Sequence, residues 1–103
     1  MSDRAVDSFL ALTATRLAPR TVDAYGRDLA DLGAFLTGSP ADATGEDLAA
    51  YLASLRARGL ASTTIARRVA ALRAFYRHQM LLGTRADNPA AEHDLPRRAQ
   101  TEE

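Results

Sequence analysis

Arginine is the residue type that this chain distributes as a binding chemistry would require. Arg56, Arg58, Arg67, Arg68, Arg73, Arg77 and Arg85 fall between residues 48 and 86, and that stretch contains no Asp or Glu. The formal charge of the whole chain is zero, so the block is segregated charge and not general basicity. Residues 1–47 carry four Arg against eight acids, and residues 87–103 carry two Arg against five. A guanidinium stays charged at neutral pH and presents five N–H donors in a planar fork. Seven of them in an acid-free stretch form a field suited to a polyanion, and the commonest polyanion is nucleic acid.

Other reactive residue types do not assemble into a site. There is no Cys, which removes disulfides, thiolate metal ligands and a thiol nucleophile. Tyr25, Tyr51 and Tyr76 each lie on an apolar stripe, where a core role is expected over a nucleophilic one. His78 and His93 are too few and too far apart for metal-ligand spacing. No Gly-rich phosphate loop and no nucleophile–base pair is visible. The expectation is no catalytic residue, no metal and no cofactor. A chain of 103 residues that is 47% hydrophobic and 25% charged reads as one domain around a modest core. No apolar run approaches the roughly 18–20 residues that cross a bilayer. Met1-Ser2-Asp3-Arg4 does not begin a signal peptide, so no membrane partner and a cytoplasmic location are expected.

The elements that must position the arginines are helical throughout. The first helix is predicted over about 3–17, with Val6, Phe9, Leu10, Thr13 and Leu17 on one face, and Ala18-Pro19-Arg20 breaks it. The second runs from Thr21 to about Leu36. Its apolar positions, Val22, Tyr25, Leu29, Leu32 and Leu36, form the narrow stripe that one helix buries against others. Thr44 and Asp47 form a capping-box variant that starts the third, with Leu48, Tyr51, Leu52 and Leu55 inward and Gly59 as a left-handed cap. Ser62 is the expected N-cap of the fourth and longest helix, which ends before Gly83. Ile65, Val69, Leu72, Phe75, Tyr76 and Met80 form its expected core stripe. Asn88-Pro89 starts a short fifth helix, and Pro96-Arg97-Arg98 stops it. The fold class is all-α: a small orthogonal bundle of four helices plus a short fifth.

Wound at about 100° per residue, the fourth helix turns Thr63, Arg67, Ala70, Ala74 and His78 outward, with Arg68, Arg73 and Arg77 flanking. Small residues on an outward strip let a helix axis approach DNA bases, and a forked donor near its N-terminal end can reach guanine. Flanking arginines suit the phosphates on both groove walls. Taken alone, such a face reads more readily as a solvated one with Ala as filler. The second helix sets Arg20, Asp23, Arg27, Ala30 and Ala34 opposite its stripe, and its acids make that a mixed solvent face by itself.

Specific residues carry a resemblance. Thr21, Tyr25 and Arg27-Asp28-Leu29 resemble the second-helix signature of the SAM-like core-binding domain of tyrosine recombinases and phage integrases. Arg58-Gly59-Leu60-Ala61-Ser62-Thr63-Thr64-Ile65 is similar to the turn before its fourth helix. Arg67-Arg68, Ala71-Leu72-Arg73 and Phe75-Tyr76 are similar to the helix itself. Asn88-Pro89-Ala90 looks like its fifth-helix start, and Leu95-Pro96-Arg97-Arg98 like the lead into a catalytic domain, with the Xer subgroup nearest.

The resemblance implies one arm of a clamp around a double-stranded DNA recombination half-site, working with other recombinase protomers in a tetramer of the full-length protein. It implies base contacts from Thr63 and Arg67. Backbone contacts would come from Ser62, Thr64, Arg68, Arg20, Thr21 and Arg27, with Arg73 and Arg77 as further DNA-binding candidates. Asp28 is expected to pair with Arg68 or Arg73. It also implies residues 1–95 as the DNA-binding domain and 96–103 as a linker toward a catalytic domain absent from this chain, which is then no enzyme. The competing reading is a helical protein-interaction module whose Arg-rich face meets an acidic partner.

Overall fold

The computed structural model describes residues 3–92. Four helices and two single 3-10 turns make up its regular structure: α1 (Arg4–Thr13), α2 (Pro19–Phe35), α3 (Gly45–Ala57) and α4 (Ser62–Leu82), with the turns at Pro40–Asp42 and Pro89–Glu92. No strand occurs among the described residues. The all-α bundle expected from the sequence is the fold found, with the fifth element reduced to the second 3-10 turn.

Local chemistry sets the boundaries. Asp3 caps α1 by accepting from the Val6 amide at 3.1 Å, and the same carboxylate accepts from the Ser39 hydroxyl at 2.6 Å. The capping box of α3 is complete: the Asp47 amide donates to Thr44 Oγ1 at 3.1 Å and the Thr44 amide donates to Asp47 Oδ2 at 2.9 Å. Gly59 and Gly83 end α3 and α4 at φ of 82° and 78°, a conformation that a Cβ penalises.

Three boundaries differ from expectation. α1 stops at Thr13, and residues 14–16 form a turn. α2 starts two residues early because Pro19 takes the first helical position, where its missing N–H costs nothing. Ser62 is the first residue of α4; the N-cap is Ala61, which has no side chain to cap with.

The core gathers Val6 and Phe9 from α1, Leu29 and Leu32 from α2, Leu48, Tyr51, Leu52 and Leu55 from α3, and Ile65, Val69, Leu72, Phe75 and Tyr76 from α4. Tyr25 packs against it half-buried. Two positions on α4 reverse the sequence expectation. His78, expected on the outer strip, is buried; Met80, expected in the core, is 41% exposed. The cause is α1, which lies across the C-terminal half of α4. The Phe9 ring sits 5.5 Å from Phe75 and 5.5 Å from His78, and Ala74 packs against the core. The buried stripe there turns toward α1, and Met80 is left outside.

Candidate nucleic-acid interface

α2 and α4 lie side by side in opposite senses. Asp31 of α2 meets Arg68 of α4, Asp28 meets Arg67, and Tyr25 shares a hollow with Ala74 and His78 further along. The α2 carboxylates therefore point at the first two turns of α4. Asp28 is only 3% exposed and accepts a bidentate pair from Arg67, Nη1 at 2.7 Å and Nη2 at 3.1 Å. Nε of Arg68 lies 3.6 Å from the same carboxylate. Asp31 Oδ2 accepts from Arg68 Nη1 at 2.7 Å, from Arg58 Nη1 at 3.0 Å and from the Tyr51 hydroxyl at 2.6 Å. One carboxylate thus ties α2 to α3 and α4.

These contacts set the protonation states. Burial works to raise the Asp31 pKa, but the Tyr51 hydrogen bond and the Arg58 and Arg68 guanidiniums outweigh it, and the carboxyl is held below its usual value. Burial, then the hydrogen bond to Asp31, pushes the Tyr51 phenol up to about 12. Burial opposes the charge on Arg68, yet Tyr51, Asp31 and Asp28 together hold its guanidinium more firmly protonated than usual.

The helix starts differ in a way that bears on anions. α1 and α3 are capped by side chains, whereas α2 and α4 begin at Ala18 and Ala61 with no side-chain cap. Uncapped first-turn N–H groups and the positive end of the helix dipole suit phosphate. Around the start of α4, Ser62 and Thr63 are exposed; around that of α2, Arg20 is exposed and Thr21 half-buried. Among the described residues no group of three or more His, Cys, Asp or Glu could hold a metal, and no helix is long and apolar enough to cross a membrane.

Residues 6–81 match the family described as phage integrase, N-terminal SAM-like domain. The chain belongs to this family. Tyrosine recombinase XerD of Rhizobium meliloti is 37% identical over 107 residues, covering 98% of this chain and 34% of that protein. XerD of Bradyrhizobium diazoefficiens is 45% identical over 85 residues, with 80% and 27% covered. XerC of Alcanivorax borkumensis is 38% identical over 95 residues, with 89% and 31% covered. The chain spans about a third of the length of these relatives, and the family match lies in the N-terminal SAM-like domain. No solved structure matches the chain.

Within this integrase-type domain, the ten residues singled out from sequence occupy the two antiparallel helices and not one spot. Ser62, Thr63, Thr64 and Arg67 share the first two turns of α4. Arg20 and Thr21 sit at the start of α2, which is the far end of the pair, and Arg27 is exposed midway. Arg77 is exposed near the C-terminal end of α4. Arg68 is largely enclosed by its acidic partners, and Arg73 donates from Nε to the Ala90 carbonyl at 3.2 Å, pinning the second 3-10 turn. Asp28 takes Arg67 as its closest partner and Arg68, one of the two expected, as its second. The role of Asp31 was missed. Its signal was the i, i+3 spacing from Asp28, which sets both carboxylates on one face of α2. His93, Leu95 and Pro96-Arg97-Arg98 lie outside the described residues.

Proposed function

We propose that this domain is the core-binding arm of a Xer-type tyrosine recombinase, which grips a double-stranded recombination half-site with α2 and α4 toward the major groove. The observation that carries the reading is the match of residues 6–81 to the integrase N-terminal domain. The architecture supports it physically. Two adjacent helices begin without side-chain caps: α4 leaves first-turn N–H groups open to a phosphate, and α2, begun by Pro19 and with the Thr21 amide bonded to the Ala18 carbonyl, leaves that of Arg20. The exposed strip Thr63, Arg67 and Ala70 on α4 consists of small or forked side chains. Chemistry would reside in a catalytic domain outside this chain, with residues 96–103 leading toward it, and the protein would work in the cytoplasm without a cofactor. The partners would be half-site DNA and further protomers of a tetramer.

The test is fluorescence anisotropy of the chain with labelled duplexes at several salt concentrations. Binding alone is expected to be weak, on the order of micromolar, with log K falling by roughly 0.9 per phosphate contact against log salt. A flat salt response, or no binding at low salt, refutes the reading.

One observation favours protein contact as a second role. A hollow of 230 Å³ between the end of α1 and the end of α4 is lined by Phe9, Leu12, Leu17, Tyr25 and Leu81, with Arg16 and Arg77 at its edge. Leu81 is 82% exposed there. A neighbouring protomer or another acidic-rimmed helix fits that chemistry. Self-association measured by sedimentation without DNA would favour the interaction-module reading over the DNA arm.

A further inference from the structure

We propose that Asp28 is a positioning residue for base readout: its buried carboxylate fixes the fork of Arg67 so that the remaining N–H groups meet a guanine-containing base pair. The proposal rests on the DNA-arm reading and names a device within it.

The asymmetry of the pair motivates it. Asp28 is 3% exposed, while the Arg67 side chain is 48% exposed. A carboxylate inside a fold must be paired, and an apolar residue of similar size often serves stability as well. The guanidinium is the half that reaches water. Asp28 engages one N–H on each Nη, at 2.7 and 3.1 Å. Of five donors, Nε–H and one N–H on each Nη remain. Nε and its neighbouring Nη form a second two-donor edge, the geometry that suits O6 and N7 of guanine.

Asp28 is itself held. Nε of Arg68 lies 3.6 Å from Oδ1, and Arg68 is fastened to Asp31 and Tyr51. The chain of contacts runs from α3 through Arg68 and Asp28 to Arg67, so the fork inherits the rigidity of three helices. Thr63 and Ala70, one turn before and after Arg67 on α4, are exposed and small enough to leave that edge open. An unheld Arg would spread over rotamers and settle on phosphates, which carry no sequence information. A held one discriminates, because its conformational cost is met before binding. The pair is also neutral at long range, so it adds readout and little field.

That last point fixes the sign of the test. A duplex enriched by the parent chain from a randomised pool and a shuffled duplex of the same composition serve as probes, in anisotropy titrations at several salt concentrations. Asp28→Asn removes a negative charge beside DNA. It should tighten binding to the shuffled duplex, steepen the salt slope by about one, and lower the enriched-to-shuffled affinity ratio roughly tenfold. Arg67→Lys, which keeps the charge and loses the fork, should lower the ratio equally, and the double variant should lose nothing more. A merely structural Asp28 would change both affinities by the same factor, and that result overturns the proposal.

Should Asp28→Asn fail to fold by circular dichroism, the parent chain decides. Its Arg67 Nε–H NMR signal should be sharp without DNA and should move with the enriched duplex only. A signal absent from the free chain, or moved equally by both duplexes, refutes the proposal. If no sequence is enriched from the pool, the DNA-arm reading itself fails, and that outcome is distinct from an unchanged ratio.

Discussion

Tyr51→Phe is the sharpest probe of the network that joins the helices, because its effect should change with pH in a direction that the structure dictates. The substitution removes a hydroxyl that donates to Asp31 at 2.6 Å and accepts from Arg68 at 3.2 Å, and leaves a ring of the same shape in the core. Hydrogen bonds to charged groups are worth about 1.5–3 kcal/mol, and Asp31 keeps Arg58 and Arg68, so a loss of about 2 kcal/mol is expected at neutral pH. For a domain of this size that lowers Tm by roughly 8 °C. The phenol's folded pKa is about 12 against an ordinary 10.0. A raised folded pKa means that the parent's Tyr51 contribution is fully present below pH 10 and is lost as pH rises toward 12. The phenylalanine variant has no such group, so the stability gap between the two should narrow by about 1.3 kcal/mol from about pH 9 to about pH 11. The other two tyrosines are common to both proteins and cancel. Urea unfolding followed at 222 nm across that range measures the gap. A gap that stays constant or widens would show that Tyr51 ionises no later folded than unfolded, and the account of its burial against Asp31 would fail.

Two more outcomes follow from the same geometry. Asp31→Asn should weaken the fold above pH 4 and flatten the acid limb of the stability profile. The parent's lowered carboxyl pKa stabilises it above the ordinary 3.8, and that contribution disappears as pH falls through the folded value; unfolding between about pH 2 and 7 checks it. Gly59→Ala should cost about 1 kcal/mol by thermal unfolding. A Cβ there meets no atom within 4 Å, so the cost comes from φ of 82° alone.

What the sequence disclosed and what it withheld divides along a physical line. Features set by neighbours in the chain were legible. The Thr44–Asp47 box, the Gly59 and Gly83 caps, and the Leu48, Tyr51, Leu52, Leu55 face all depend on spacing within a turn or two. Features set by a distant segment were not. Nothing near residue 78 says that Phe9 will lie over it, so His78 went to solvent and Met80 to the core. The order of motifs carried the family, and the family match bears it out. The candidate site was legible as a set of residue types. Its pairing was not, because Asp28 and Asp31 lie 39 and 37 positions before their α4 partners.

That pairing alters what the arginine block can do. Arg58, Arg67, Arg68 and Arg85 each meet an aspartate, and the Arg73 Nε bonds a carbonyl. Arg20, Arg27, Arg56 and Arg77 have no ion pair among the described residues. An ion pair cancels a charge at distances beyond the pair itself, yet leaves unused N–H donors in place. The long-range field of the block is therefore much smaller than seven arginines suggest, while its stock of oriented donors near the α2–α4 seam remains. On the DNA-arm reading, the unpaired arginines and the open helix starts account for salt-dependent attraction, and the paired ones act only after contact. Substituting Arg27 or Arg77 by Ala should then reduce the salt slope by about one each. Substituting Arg67 by Lys, which keeps the charge, should leave the slope nearly unchanged while eroding discrimination among sequences. A chain in which Arg67→Lys lowers the slope as much as Arg77→Ala does would have no such division between steering and reading.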